Sequence, residues 1–239
     1  VVDHEAEIWS GISERASIDN IKKGLRTPAS GNDNPHHFDD GAVARAVPIG
    51  IKFHGQPDKA AMIAEKMASI TNAADGVYAA KAMAASIAVA IEGAQVHDIV
   101  QEGLKHVPEN TWLKRKIDQA FSILESVGNN GFAAVPLLNQ HIVNSIYNYG
   151  NIAPETLAAA YAIFLGAEGV FEKGIQLSLM LPKQADSMPA MVGALSGAVH
   201  GMENIPQTWI DSVDTLKGFS IPHLKGRTIS ETVKSLIEG

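Results

Sequence analysis

Apolar residues recur three or four positions apart along most of this chain, which is the spacing of one face of an α-helix. The segment from Pro57 to Thr71 shows the pattern clearly, because its alanine, isoleucine and methionine residues fall on one side of a helix. No stretch alternates apolar and polar residues as a half-buried strand does. The pattern predicts an all-α fold. The predicted helices cover about 1–27, 57–71, 77–93, 97–130 (as one or two helices), 136–144, 154–165, 171–181 and 188–201. Three more are predicted by one boundary only: one begins at about 42, one ends at about 216 and one ends at about 236.

One of these helices is built of small residues and follows a short polar run. Gly193, Gly197 and Gly201 fall every fourth position and share one helix face. Glycine inside a helix costs about 1 kcal/mol relative to alanine, so three in register predict close packing against a neighbour. Asp186 and Ser187 stand at the start of the helix. Two interpretations stay open: they cap the helix, or they are presented to a metal or ligand.

A second polar feature is the loop over 28–41, which contains two prolines, two glycines and two asparagines. Polar loops of this length are often functional. The loop ends in Asp39 and Asp40, and Asp75 and Asp186 lie at other predicted helix boundaries beside small residues. Carboxylates combined with hydroxyl and amide oxygens suit Mg²⁺, Mn²⁺ or Ca²⁺ rather than a soft metal.

Composition narrows the classes of function. The net charge of −7 and pI near 5.7 argue against nucleic acid or an anionic membrane as the main partner. The absence of cysteine excludes disulfides and thiolate chemistry and is typical of a cytoplasmic protein, the location we expect. No apolar run is long enough for a transmembrane helix. Because the chain starts at Val1 rather than at a methionine, we expect its N-terminus to be missing or processed.

Four segments follow one another in a characteristic order: DDGAVARAVPIGI from Asp39, ITNAADGVYAAKAMAA from Ile70, APETLAAAYAIF from Ala153 and ADSMPAMVGALSGAVHGMENIPQTW from Ala185. Together they resemble the ADP-ribosylglycohydrolase family over about residues 13–218. The resemblance implies a single multi-helix orthogonal bundle that carries a pair of Mg²⁺ or Mn²⁺ ions. It also implies cleavage of the glycosidic bond that joins ADP-ribose to a protein side chain or another acceptor.

The resemblance also assigns site residues by position. The expected metal ligands are Asp186, Ser187 and Gln184. The expected substrate-binding residues are Asp39, Asp40, Gly41, Arg45 and Thr71. Within this second group, Arg45 is expected to brace the loop by pairing with a carboxylate.

The chain departs from the family pattern at three places. Gln184 replaces the first metal aspartate, which weakens one of the two cation positions because a neutral amide attracts a cation less than a carboxylate does. Asn72 stands where the family has a histidine. The catalytic glutamate and a further metal motif should precede residue 1, so the expected single all-helical domain over 1–239 would be the C-terminal two-thirds of a larger family domain.

Three functions therefore stay open. The first is a metal-dependent hydrolase acting on an ADP-ribosylated protein or a nucleotide-sugar substrate. The second is a degenerate, non-catalytic ADP-ribose-binding protein, and the third uses the same pocket on another phosphorylated small molecule. We expect neither nucleic acid nor a membrane as partner. A second copy or a partner chain would cover any apolar face left by a missing helical layer.

Overall fold

The structure is a computed structural model that describes residues 8–143 and 149–238. Within these residues the chain forms thirteen α-helices and no β-sheet, which confirms the predicted all-α fold. The first seven helices are α1 (Ile12–Lys22), α2 (Ala29–Asn32), α3 (Gly41–Lys52), α4 (Pro57–Ala68), α5 (Asp75–Ala90), α6 (Val96–Leu104) and α7 (Trp112–Ser126). The other six are α8 (Gly131–His141), α9 (Ala153–Gly166), α10 (Phe171–Leu179), α11 (Met188–His200), α12 (Gln207–Val213) and α13 (Ile229–Glu238).

Helices α5 and α9 lie at the centre of the molecule and are buried on almost every side. Both are rich in alanine, and a helix that is apolar all round is stable only inside a protein. Helices α3, α4 and α6 pack on α5, whereas α7, α8 and α11 pack on α9. Inside this core the Tyr161 hydroxyl of α9 lies 2.8 Å from the Ser86 hydroxyl of α5, which satisfies two buried polar groups.

The structure differs from the prediction in segments where prolines and glycines suggested a helix boundary or a loop. Pro136 lies inside α8 instead of starting it, because α8 already begins at Gly131 with the side chain of Asn130 as its cap. The loop over 28–41 contains the short helix α2. Residues 1–7 of the predicted first helix and residues 144–148 lie outside the described part of the chain.

The predicted close packing of the glycine face on α11 is found at Gly193 and is wrong at Gly197. A Cβ atom added at Gly193 would lie 3.1 Å from Ile175 Cδ1, which is closer than an ordinary contact, whereas one added at Gly197 would meet no atom within 4 Å. Gly201 ends the helix with φ of +68°, a left-handed conformation that glycine adopts without strain. The face of α11 that packs against the core carries larger side chains, Met188, Met191, Val192 and Leu195.

The C-terminal part differs from the core because α12 and α13 bury none of their residues. These helices border an apolar cavity of about 690 Å³ whose lining includes Phe171, Met202 and Trp209 and none of the predicted site residues. No described helix is both long and apolar enough to cross a bilayer.

Candidate metal and substrate site

The starts of three helices meet at one place on the molecule. The loop before α3 pairs with the segment before α9, since the Asp40 amide donates to the Asn151 carbonyl (3.2 Å) and the Ala153 amide donates to the Phe38 carbonyl (3.0 Å). Gly150 in turn lies so close to the Lys183 carbonyl that a Cβ atom would be 2.6 Å from its oxygen. This contact joins both segments to the chain leading into α11.

Asp40 is the buried carboxylate at this junction, with 2% of its surface exposed. Its pKa is raised to about 7, chiefly by burial and to a smaller extent by the neighbouring charges of Asp39 and Asp186, while the nearby Thr156 and Ser187 hydroxyls oppose the shift. Its Oδ2 atom is buried without a hydrogen-bond partner. A buried acceptor without a hydrogen bond lowers the stability of the folded protein, so a cation or a hydrogen-bond donor at Oδ2 would stabilise it.

The segment before α11 supplies the other groups at the junction. Gln184 is fully buried, and its Oε1 accepts a hydrogen bond from the Thr156 hydroxyl at 2.7 Å, whereas its Nε2 is buried without a partner. Asp186 is exposed and accepts from the Ser187 amide at 2.9 Å. Ser187 occupies the cap position of α11 but makes no side-chain cap bond. The capping interpretation of Ser187 is therefore wrong.

Asp39 holds the loop in place through its own hydrogen bonds. Its Oδ1 accepts from Asn72 Nδ2 at 3.0 Å and from the Gly41 amide at 3.2 Å. Its Oδ2 accepts from the Tyr149 hydroxyl at 3.2 Å. Burial and the charge of Asp39 raise the pKa of Tyr149 above its usual range, so the phenol stays protonated and donates.

Arg45 extends this set of contacts to α1. Its guanidinium pairs with Glu14, which confirms the expected pairing with a carboxylate, and it donates to Thr71 Oγ1 at 2.6 Å. Thr71 donates in turn to Asn72 Oδ1 at 2.6 Å. Burial lowers the pKa of Arg45 only to about 10, so it remains charged at neutral pH. We call the residues of this continuous network the loop brace: Glu14, Arg45, Thr71, Asn72, Asp39 and Tyr149.

The predicted site residues thus fall into two groups. Asp40 from the predicted substrate set lies with Gln184, Asp186 and Ser187 from the predicted metal set. The other substrate candidates Asp39, Gly41, Arg45 and Thr71 belong to the loop brace or bond to it, and their contact with substrate stays a prediction. Asp75 lies apart, since its carboxylate accepts from the Leu113 amide at 2.8 Å and joins α5 to α7.

Three residues of the site were not among those predicted from the sequence. Thr156 lies in the first turn of α9, within the family segment that starts at Ala153, but the resemblance assigned it no role. Glu14 and Tyr149 carry no motif of their own, and their roles follow from contacts with residues far away in the sequence. The catalytic glutamate expected before residue 1 stays a prediction.

The donor atoms at the junction fit a hard divalent cation. Asp40 and Asp186 offer carboxylate oxygens, Ser187 and Thr156 offer hydroxyls, and oxygen ligands of this kind suit Mg²⁺ or Mn²⁺. The unpartnered Oδ2 of Asp40 is the observation in favour of such an ion. The unpartnered Nε2 of Gln184 does not fit a cation in this orientation, because an amide NH₂ group can only donate hydrogen bonds. A 180° rotation of the amide would direct Oε1 to this position and let Nε2 donate to the Thr156 hydroxyl, which already donates to the Ile152 carbonyl.

Comparison with known proteins agrees with the resemblance. The family described as ADP-ribosylglycohydrolase matches residues 3–238, a wider range than the motifs alone cover. No curated protein matches the chain. Members of the family hydrolyse glycosidic bonds of ADP-ribose derivatives and generally depend on metal ions. Because the match extends over almost the entire sequence, this chain belongs to the ADP-ribosylglycohydrolase family.

Proposed function

We propose that this chain hydrolyses a glycosidic bond to ADP-ribose in an ADP-ribosylated protein or a nucleotide-sugar substrate, with Mg²⁺ or Mn²⁺ as cofactor. Asp40, Asp186 and Ser187 would hold the cation. The observation that carries the proposal is the buried, unpartnered Oδ2 of Asp40, which belongs to a carboxylate beside the Ser187 and Thr156 hydroxyls.

The charges at the junction favour one cation rather than two. Asp40 and Asp186 together carry two negative charges when ionised, and Gln184 adds none. A bound cation would act as a Lewis acid and orient substrate hydroxyls. The protein's own contribution is to position the cation ligand Asp40. The loop brace holds Asp39 and thereby fixes the neighbouring Asp40 at the start of α3.

Calorimetric titration of Mn²⁺ into untagged, metal-free protein tests the cation site. We expect one ion per chain with micromolar affinity, lost in Asp186→Asn and kept in Asp33→Asn, whose exposed side chain lies in the same loop. Release of free ADP-ribose from an ADP-ribosylated protein should then require Mn²⁺ and fail in Asp186→Asn. Absence of Mn²⁺ binding by the unchanged protein would contradict the proposal.

A second function, cation-independent binding of ADP-ribose without hydrolysis, is favoured by Gln184. Its buried Nε2 donor points to an acceptor atom as its natural partner rather than to a metal. This alternative expects ADP-ribose to bind equally well with EDTA and with Mn²⁺, and expects no product from any substrate. Gln184→Glu separates the two functions, since it should strengthen Mn²⁺ binding in the hydrolase and weaken ADP-ribose binding in the binding protein.

A further inference from the structure

A second group of side chains with metal-ligand chemistry lies at the start of α4, the end of this helix that is remote from the loop brace. Asp58 is in the first turn of α4, Glu102 is near the end of α6, and His106 follows α6 directly. One ligand atom from each of the three residues lies within 4.8 Å of the other two. His106 Nε2 is 3.7 Å from Asp58 Oδ1. Ligand atoms around a tetrahedral zinc ion are about 3.4 Å apart, so small side-chain rotations would complete the arrangement.

The histidine nitrogen in this group has no partner of its own. His106 Nε2 is buried without a hydrogen bond, and only 13% of the side chain is exposed. Burial is the main cause that lowers the pKa of His106, against the opposing charge of Asp58. A neutral imidazole has a lone pair available to a metal, and a buried polar atom without a partner is unusual enough to require an explanation.

The two carboxylates differ in their exposure. Asp58 is almost fully exposed, so its side chain is free to turn toward the ring nitrogen. The Glu102 side chain is only 17% exposed and accepts from the exposed Lys105 at 2.6 Å, so a metal ion would replace this lysine as the partner of the carboxylate. The nearby cation Lys81 is already paired with Glu65 at 2.8 Å.

We propose that Asp58, Glu102 and His106 bind a divalent transition metal, with zinc as the best match, and that the ion ties the start of α4 to the end of α6. One imidazole and two carboxylates with open positions are a ligand set typical of zinc and its neighbours. The group is separate from the junction around Asp40, since Asp58 lies about 15 Å along the axis of α4 from Ala68, the end of the helix that leads to the brace residue Thr71. The ion fastens two helices that each pack mainly on α5.

Zn²⁺ titration of untagged, metal-free protein, followed by calorimetry and by thermal unfolding, tests this site. The parent for every variant is Asp186→Asn, which removes the proposed cation site at the junction. We expect one Zn²⁺ ion per chain and a higher unfolding temperature when it is bound. His106→Gln should weaken Zn²⁺ binding by about 100-fold or more, since even the outer partners of metal ligands contribute about 10- to 100-fold.

Two further variants keep the test decisive. Asp58→Asn changes an exposed side chain that cannot disturb the core, and it should weaken Zn²⁺ binding at least about tenfold. His97→Gln is the matched control, because His97 forms an exposed pair with Asp98 and lacks a third ligand, and it should leave binding unchanged. Zn²⁺ binding that survives both His106→Gln and Asp58→Asn, or no Zn²⁺ binding by the parent, would overturn the proposal.

Discussion

Asp40 and Gln184 each keep one buried polar atom without a partner, and both lie against the hydroxyl of Thr156. Burying such atoms lowers stability, so each one in a native protein requires an explanation, and a bound ion or ligand is one such explanation. Sequence reasoning located both residues through the family motifs. It could not place Thr156 between them, because a single threonine in a helix carries no sign of what it will face after long-range packing.

The raised pKa of Asp40 makes the stability of the metal-free protein depend on pH. Because the folded pKa of about 7 exceeds the ordinary value of 3.8, the folded protein holds this proton more tightly than the unfolded chain does. The corresponding stability is complete below pH 4 and is lost as the pH rises to 7. Asp40→Asn removes the charge, so it should stabilise the protein by an amount that grows over this range to about 4 kcal/mol.

Denaturation by urea in EDTA at pH 4.5, 6 and 8 measures the effect. Asp33→Asn serves as control, since its side chain is exposed and should give the same small difference at each pH. A stabilisation by Asp40→Asn that does not increase with pH would show that burial does not control the ionisation of this carboxyl.

At the scale of the helix, the spacing of apolar residues predicts well that a helix is present, but it predicts poorly where the helix begins and ends. It predicted the central helices α5 and α9 because their apolar residues recur without interruption. It could not find α2, whose four residues are too few to show a period. It also could not tell which glycines are packed, because the neighbour that fills or leaves the space belongs to another part of the chain.

Two glycines in helix interiors should respond oppositely to the same change. Gly50 of α3 approaches α5 so closely that a Cβ atom would lie 2.6 Å from Ile87 Cβ, so Gly50→Ala should destabilise the protein by about 1–3 kcal/mol. Gly197 of α11 faces open space, so Gly197→Ala should stabilise it by up to about 1 kcal/mol through helix propensity. Urea unfolding of both variants and of the unchanged protein measures the two changes in the free energy of unfolding. A loss of stability in Gly197→Ala would mean that something covers this face in solution.

At the scale of the molecule, burial is uneven along the chain. The core around α5 and α9 is fully buried, whereas the segment from Gly201 onward is held by few contacts, among them the Phe171 and Trp209 rings, whose centres are 6.1 Å apart. Composition and periodicity gave no sign of this difference. The organisation of 1–239 as a single domain stays a prediction.

Limited proteolysis should therefore cut the C-terminal segment first. Phe219 is 85% exposed and Lys217 is also exposed, so chymotrypsin and trypsin should both cleave near Gly218 before they cut within residues 41–200. Local opening needs least free energy where few apolar contacts are broken. Mass spectrometry of the first fragments shows which peptide bonds are cleaved first. A first cut inside α5 or α9 would contradict the uneven burial described above.

The meeting of three helix starts around Asp40 has a consequence for how the protein folds. Asp40, Thr156 and Ser187 are far apart in the sequence, so bringing them together closes two very long loops. The entropy of loop closure must be offset before such distant contacts become favourable, so these contacts form late. The chain has to bring the starts of α3, α9 and α11 together before the cation site exists. A cation or substrate can therefore stabilise the finished fold but cannot nucleate it.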